Sequence, residues 1–169
     1  KVHHLLVTHS HIDHFFPVEL IHRHEHFGHH AEGMLHVYGN EAVEQAFYGA
    51  VLIDRFRVHP LDEAVKFVRL EPFGDFMADG YHIIPIPADH DKREQCFIYI
   101  IEKDGACLLY GHDTGMALSK EAWDCIFSHK YGLVSLDATM GKKQTDSYHM
   151  GLPDGLSFLK RLEEQGCIQ

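Results

Sequence analysis

Short apolar runs set between polar, glycine-containing stretches define the elements of this chain. Residues 2–7 read as a buried strand that runs into a histidine cluster, and 16–23 have helical spacing after Pro17, which suits a first helical turn. A His/Gly-rich stretch over 23–33 reads as a loop or lid. Residues 35–38 form a short strand, and Gly39-Asn40 caps a helix expected from Glu41 to about Gly49. Strand composition returns at 65–70 and 81–87. Residues 95–103 and 106–110 flank Asp104-Gly105, a hairpin signal. Ser119 caps a helix reaching about Ser128, with Glu121 in its first turn and with Trp123, Ile126 and Phe127 as its core residues. A strand at 133–136 and an amphipathic helix at 152–164, closed by Gly166, complete the pattern. Strands dominate, with helices between and after them, which predicts an α/β layered domain spanning residues 1–169 as one unit, without repeats or linkers. The chain opens inside a strand and stops after a helix with no return strand, so a domain incomplete at both ends is expected.

Composition narrows the class. Apolar residues make up 45% and charged residues 24% of the 169, ordinary usage for a folded domain. No run approaches the roughly 18 apolar residues that cross a bilayer, and the first residues lack the regions of a signal peptide. The formal net charge of −10 repels polyanions and argues against broad nucleic-acid binding, although divalent cations would reverse the local sign for a small phosphate ester. Cys96, Cys107, Cys125 and Cys167 form no Cys-x-x-Cys pair and read as reduced, buried thiols of a cytoplasmic protein. Cys96 and Cys107 would face each other if the hairpin register allowed it. Nothing in the composition decides oligomeric state, and a homodimer is compatible with it.

Seventeen histidines make spacing decisive. In Thr8-His9-Ser10-His11-Ile12-Asp13-His14, two histidines two apart at a strand end point to one face, and a turn lets Asp13 and His14 reach the same space. Three imidazoles and a carboxylate around one point suit two neighbouring divalent ions. Two later apolar strands also end at donor residues: 84–86 runs to His90, and 108–110 runs to Asp113, whose two oxygens suit it to bridge cations.

The His-x-His-x-Asp-His motif, the later strand-end His90 and the Asp113-Thr114-Gly115 turn together resemble the metallo-β-lactamase superfamily. Asp137-Ala138-Thr139 and Tyr148-His149-Met150-Gly151-Leu152 are similar to its phosphodiesterase branch, which includes ribonuclease Z and the carbon–phosphorus lyase accessory phosphodiesterase. The resemblance implies an αββα sandwich and two divalent ions, Zn or Mn with Fe also compatible. In it His9, His11 and His90 hold one ion, Asp13 and His14 the other, and Asp113 bridges. It further implies one more ligand histidine, which this sequence does not contain, and amino-terminal strands that precede its first residue.

Two cations clamping a water lower its pKa from about 15.7 towards about 7, and the hydroxide attacks phosphorus or a carbonyl carbon. Asp13, Asp137 and His149 are the catalytic candidates, with His149 protonating the leaving oxygen and Asp137 orienting it. The leading expectation is a phosphodiesterase acting on small or cyclic nucleotide-like phosphate esters, with no membrane or large nucleic-acid partner. A thioesterase or lactonase of the same fold, and a non-catalytic metal-binding domain, are the alternatives. His22, His24, His26, His29 and His30 are assigned to the lid, His3 and His4 to structure. His112 is expected to face away from the cluster, and His36, His59, His82 and His129 have no partner at ligand spacing in the sequence. Asp89 and Asp91 flank His90.

Overall fold

In the computed structural model, which describes residues 2–23, 33–54 and 64–168, three parallel strands make the first sheet. They are β1 (His4–Leu6), β2 (Leu35–Gly39) and β3 (Val65–Arg69), in the order β1-β2-β3. This sheet lies in the first of two compact units, Lys1–Leu70 and Glu71–Gln169. Leu5, Val37 and Phe67 stand in register across it, and Val37 and Phe67 are buried with Val43, Phe47 and Ala50 of helix α1 (Glu41–Asp54). The Asn40 side chain accepts the Val43 N–H at 2.8 Å and so caps that helix as expected. α1 runs past Gly49 because Ala50, 2% exposed, continues the core face, and packing overrides the local cost of glycine. A 3₁₀ helix spans Pro17–Arg23.

The second unit holds a five-stranded sheet in the order β4-β5-β6-β7-β8. Strands β4 (Phe76–Ala78), β5 (Tyr81–Pro87), β6 (Phe97–Lys103) and β7 (Ala106–Gly111) form an antiparallel meander, and β8 (Leu133–Leu136) joins β7 in parallel. Parallel pairing needs a crossover, here helix α2 (Lys120–Phe127). Helix α3 (Leu152–Glu164) follows β8. Ile84, Ile86, Ile98, Ile100 and Leu109 project from the sheet into one core with Trp123 and Ile126 of α2 and Phe158 and Leu162 of α3. The Trp123 and Phe158 rings meet at 4.7 Å.

Two details of the second unit also differ from the sequence reading. Strand β4 was not expected; it is closed onto β5 by Asp79-Gly80, both in the left-handed region (φ 49° and 79°), the same turn chemistry as Asp104-Gly105 (51° and 81°). Cys107 sits opposite Glu102 rather than Cys96, which precedes β6 and directs its thiol to the Asp91 carbonyl at 3.7 Å. All four cysteines are free, and burial pushes the Cys96 and Cys107 thiols up to about 12. Among the described residues no helix is long and apolar enough to cross a membrane. Residues 24–32 of the proposed lid, with His24, His26, His29 and His30, and also His59 lie outside the described residues, as does the side chain of His22.

Candidate functional site

In the first unit the histidines come together by a turn, not by strand alternation. β1 ends at Leu6, short of His9 and His11. The His14 and Phe15 amides then both donate to the His11 carbonyl, at 2.9 and 2.8 Å, and buried Phe15 anchors the turn. This folds the His11 and His14 rings against His9, each with a centroid separation of 4.3 Å. His9 is fully buried; its Nδ1 lies 2.9 Å from the Thr8 hydroxyl and its Nε2 lies 3.0 Å from His11 Nδ1. Asp13 lies 3.6 Å from His14 Nε2 with its side chain 78% exposed.

In the second unit His90, Asp113 and His149 each offer a donor atom within 4.8 Å of the others. The loops that bring them there are tightly joined. Thr114 accepts the Asp89 amide at 2.9 Å, Gly115 donates to the Asp89 carbonyl at 2.8 Å, and the buried Asp89 carboxylate accepts the Ala117 amide at 2.9 Å and the Lys92 ammonium at 2.8 Å. Asp91, also buried, takes a two-pronged contact from Arg93. Asp113 has a left-handed backbone (φ 51°), a conformation that asparagine and aspartate tolerate better than most residues.

His149 and Asp137 form a dyad. His149 Nδ1 is 2.7 Å from Asp137 Oδ2 and 3.6 Å from Asp113 Oδ1. Asp137 is 3% exposed, and burial alone would raise its carboxyl; the Thr139 amide at 2.7 Å and the His149 ring outweigh this and hold it below the usual carboxylate range. The residue before the dyad histidine is strained. Tyr148 has φ 76°, and the His149 amide donates to the Ser147 carbonyl at 3.0 Å, a three-residue γ-turn of the rarer hand. That turn aims the Tyr148 carbonyl at His90 Nδ1, 2.8 Å away, and packs the Tyr148 ring 4.2 Å from the His90 ring.

These contacts bear on metal binding through tautomers. A ring that donates Nδ1–H to a carbonyl keeps its Nε2 lone pair for an ion, as metal-bound histidines do, so His90 is set to ligate through Nε2. The 3.0 Å between His9 Nε2 and His11 Nδ1 is near the roughly 3.3 Å edge that two nitrogens span on a tetrahedral ion with bonds of about 2.0–2.1 Å. The donor atoms are nitrogen and carboxylate oxygen, a set that suits borderline transition ions. The residues present therefore fit a divalent metal.

His112 bonds the Ser135 hydroxyl at 2.7 Å, outside this cluster, in line with its expected orientation. His82 departs from expectation. It is held between Asp75 and Glu102, at 2.7 and 3.1 Å, carboxylates that its place on β5 brings near but that no sequence spacing announces. His149 does not cap α3; Gly151 occupies that place, and the Asp154 carboxylate accepts its amide at 2.9 Å. Tyr148 as the partner of His90, and Asp154, were missed in the sequence. An aspartate three residues after a helix cap was the signal available for the latter.

Comparison with known proteins extends this picture. The beta-lactamase superfamily domain matches residues 1–168. No curated protein matches the sequence. Among solved structures, a diphosphatase from the PhnP family is 19% identical with a TM-score of 0.72, covering 96% of this chain and 57% of that one. The short form of human tRNase Z is 13% identical with a TM-score of 0.64, covering 95% and 68%. Zn(2+)-bound PqqB from Methylobacterium extorquens is 16% identical with a TM-score of 0.54, covering 81% and 46%. The chain thus spans a little over half the length of the diphosphatase it resembles. With two sheets and three α-helices among the described residues and a family match along nearly its whole length, the chain belongs to the beta-lactamase superfamily and has the mixed α/β composition of the metallo-β-lactamase fold.

Proposed function

We propose that this chain carries the centre of a two-metal phosphodiesterase. In this reading, which carries over the ligand set that the family resemblance implies, His9, His11, Asp13, His14, His90 and Asp113 would hold two divalent ions, zinc or manganese. Ions bound there supply an acidified water and neutralise charge on the phosphate. His149, its Nδ1–H held by Asp137, keeps Nε2 for the proton that the departing alkoxide needs. The observation that carries the reading is the 2.7 Å contact between His149 and the buried Asp137, beside His90 and Asp113. Hydrolysis of a thioester expels a thiolate that needs no such acid. The likeness to a PhnP-family diphosphatase and to tRNase Z supports phosphorus chemistry, and the net charge of −10 favours a small ester over a long polyanion. Free thiols, three of the four buried, fit residence in the cytoplasm.

The test compares alkyl and nitrophenyl phosphodiesters in metal-loaded wild type, His149→Ala and Asp137→Asn. Loss of a general acid slows the alkyl ester by about 10²–10⁴-fold, roughly 3–5 kcal/mol of barrier, and the activated aryl ester far less. Asp137→Asn should follow more weakly, and metal content should hold in both. Equal losses on both esters would refute the acid role and favour a thioesterase or lactonase. A second reading has its own support: His149 Nδ1 is only 3.6 Å from Asp113, so the ring is also placed to ligate. Loss of a stoichiometric ion from His149→Ala would establish that reading instead.

A further inference from the structure

The irregular segment between β8 and α3 carries His149, and beneath it lies a carboxylate to which the reaction above gives no role. Asp154 is 3% exposed. A carboxylate at the third position of a helix ordinarily accepts the amide of the capping residue, and Asp154 Oδ2 does accept the Gly151 amide at 2.9 Å. The same oxygen also takes the Thr145 amide at 3.0 Å and faces the Thr145 hydroxyl at 3.1 Å. That hydroxyl donates in turn to the main-chain carbonyl of His149. A path of hydrogen bonds thus runs from the first turn of α3, through Thr145, to the backbone of the dyad histidine. Capping alone calls for only the first of these contacts.

The segment has little freedom to settle differently. A Cβ at Gly151 would lie 1.8 Å from the Lys143 carbonyl oxygen, so the chain passes directly over the helix cap. The Leu152 amide donates to the Gly141 carbonyl at 2.7 Å and the Met140 amide to the Met150 carbonyl at 3.1 Å, while the Met150 side chain is fully buried. His149 is therefore fixed at two points: its ring by Asp137 and its main chain by Thr145.

We propose that Asp154, acting through Thr145, is a positioning residue for His149, setting where the imidazole meets the leaving oxygen. The proposal rests on the acid role of His149. Asp137 fixes the tautomer and one edge of the ring, and the Asp154–Thr145 path fixes how far the backbone carries that ring towards substrate. Misplacing a reacting group by about 1 Å costs up to about 10²-fold, and here the cost should fall on the proton transfer alone.

The experiment uses the metal-loaded protein with Thr145→Val, Thr145→Ser, Asp154→Ala and Asp154→Asn, beside His149→Ala. Each is assayed for kcat and KM on alkyl and nitrophenyl phosphodiesters, across pH, with metal content and thermal midpoint measured in parallel. Thr145→Val and Asp154→Ala should lower kcat on the alkyl ester by about 10–10²-fold, leave KM and metal content near wild type, and affect the aryl ester much less. Thr145→Ser and Asp154→Asn keep a hydroxyl and an acceptor oxygen and should restore most of the alkyl rate. Thr145→Val, which leaves the helix cap in place, decides the matter if Asp154→Ala does not fold. Should His149→Ala be alkyl-selective while Thr145→Val lowers both esters equally, or neither, the positioning proposal is overturned and the acid role stands. If His149→Ala is itself unselective, the acid role fails and takes the proposal with it.

Discussion

Gly115 is the point where two loops of the second unit touch, and enlarging it tests how firmly His149 is held. A Cβ there would stand 2.5 Å from Asp89 Oδ2 and 2.6 Å from both the Cα and carbonyl carbon of Ser147. The Asp89 carboxylate is anchored by the Ala117 amide and Lys92, and Ser147 is backbone, so neither yields as a flexible side-chain tip would. Restoring ordinary contact at 3.4 Å moves Ser147 by roughly 0.8 Å. Ser147 opens the γ-turn that ends at His149, so the displacement passes directly to the dyad. A shift of that size should lower kcat/KM of Gly115→Ala by about 10–10²-fold, or roughly 1.4–2.8 kcal/mol of barrier. The crowding itself should remove about 1–3 kcal/mol of stability. Steady-state kinetics on an alkyl phosphodiester and urea unfolding measure the two effects separately. A variant with wild-type kcat/KM and an unchanged unfolding midpoint would refute the reasoning, because the loops would then give way freely.

Two further outcomes follow from other parts of the chain. The His82 pKa is raised, chiefly by its hydrogen bond to Asp75 and then by Glu102, so the charged ring's contribution is complete below its unfolded value of about 6.5 and is lost as pH rises through the higher folded value. His82→Gln should therefore be less stable than wild type at about pH 6 and should converge on it at alkaline pH, as followed by urea midpoints; a gap that widens with pH would contradict the assignment. Asn40→Ala removes the buried cap of α1 and should cost about 1 kcal/mol, read from the same unfolding curves, whereas an unchanged midpoint would show that the cap contact adds nothing.

What the sequence disclosed depended on whether the controlling interaction was periodic or local. Alternation and apolar runs located most strands, and Asn40 and Ser119 marked helix starts because a cap acts within three residues. Asp79-Gly80 carries the same hairpin signal as Asp104-Gly105, yet strand β4 beside it is only three residues long and falls below what a pattern can register. The His9-x-His11 spacing pointed to convergence for a reason the structure replaces, since the strand stops early and the turn closed by Phe15 gathers the rings. The strain at Tyr148 and the hydrogen bonds of Asp154 to Thr145 leave no periodic trace. They link positions in irregular chain whose proximity only the folded backbone creates.

The two sheets also differ in how soon they can form. β4 to β7 are successive neighbours, two of their three connections being two-residue turns, so most of the second sheet assembles by closing short loops. β1 ends at Leu6 and pairs with β2, which starts only at Leu35, and β2 meets β3 across all of α1 and beyond. Closing the longer intervals costs more chain entropy before any contact repays it. During folding the meander is therefore the natural early structure, and the β1 sheet, with the histidine turn that follows its first strand, is the slower to gain its order.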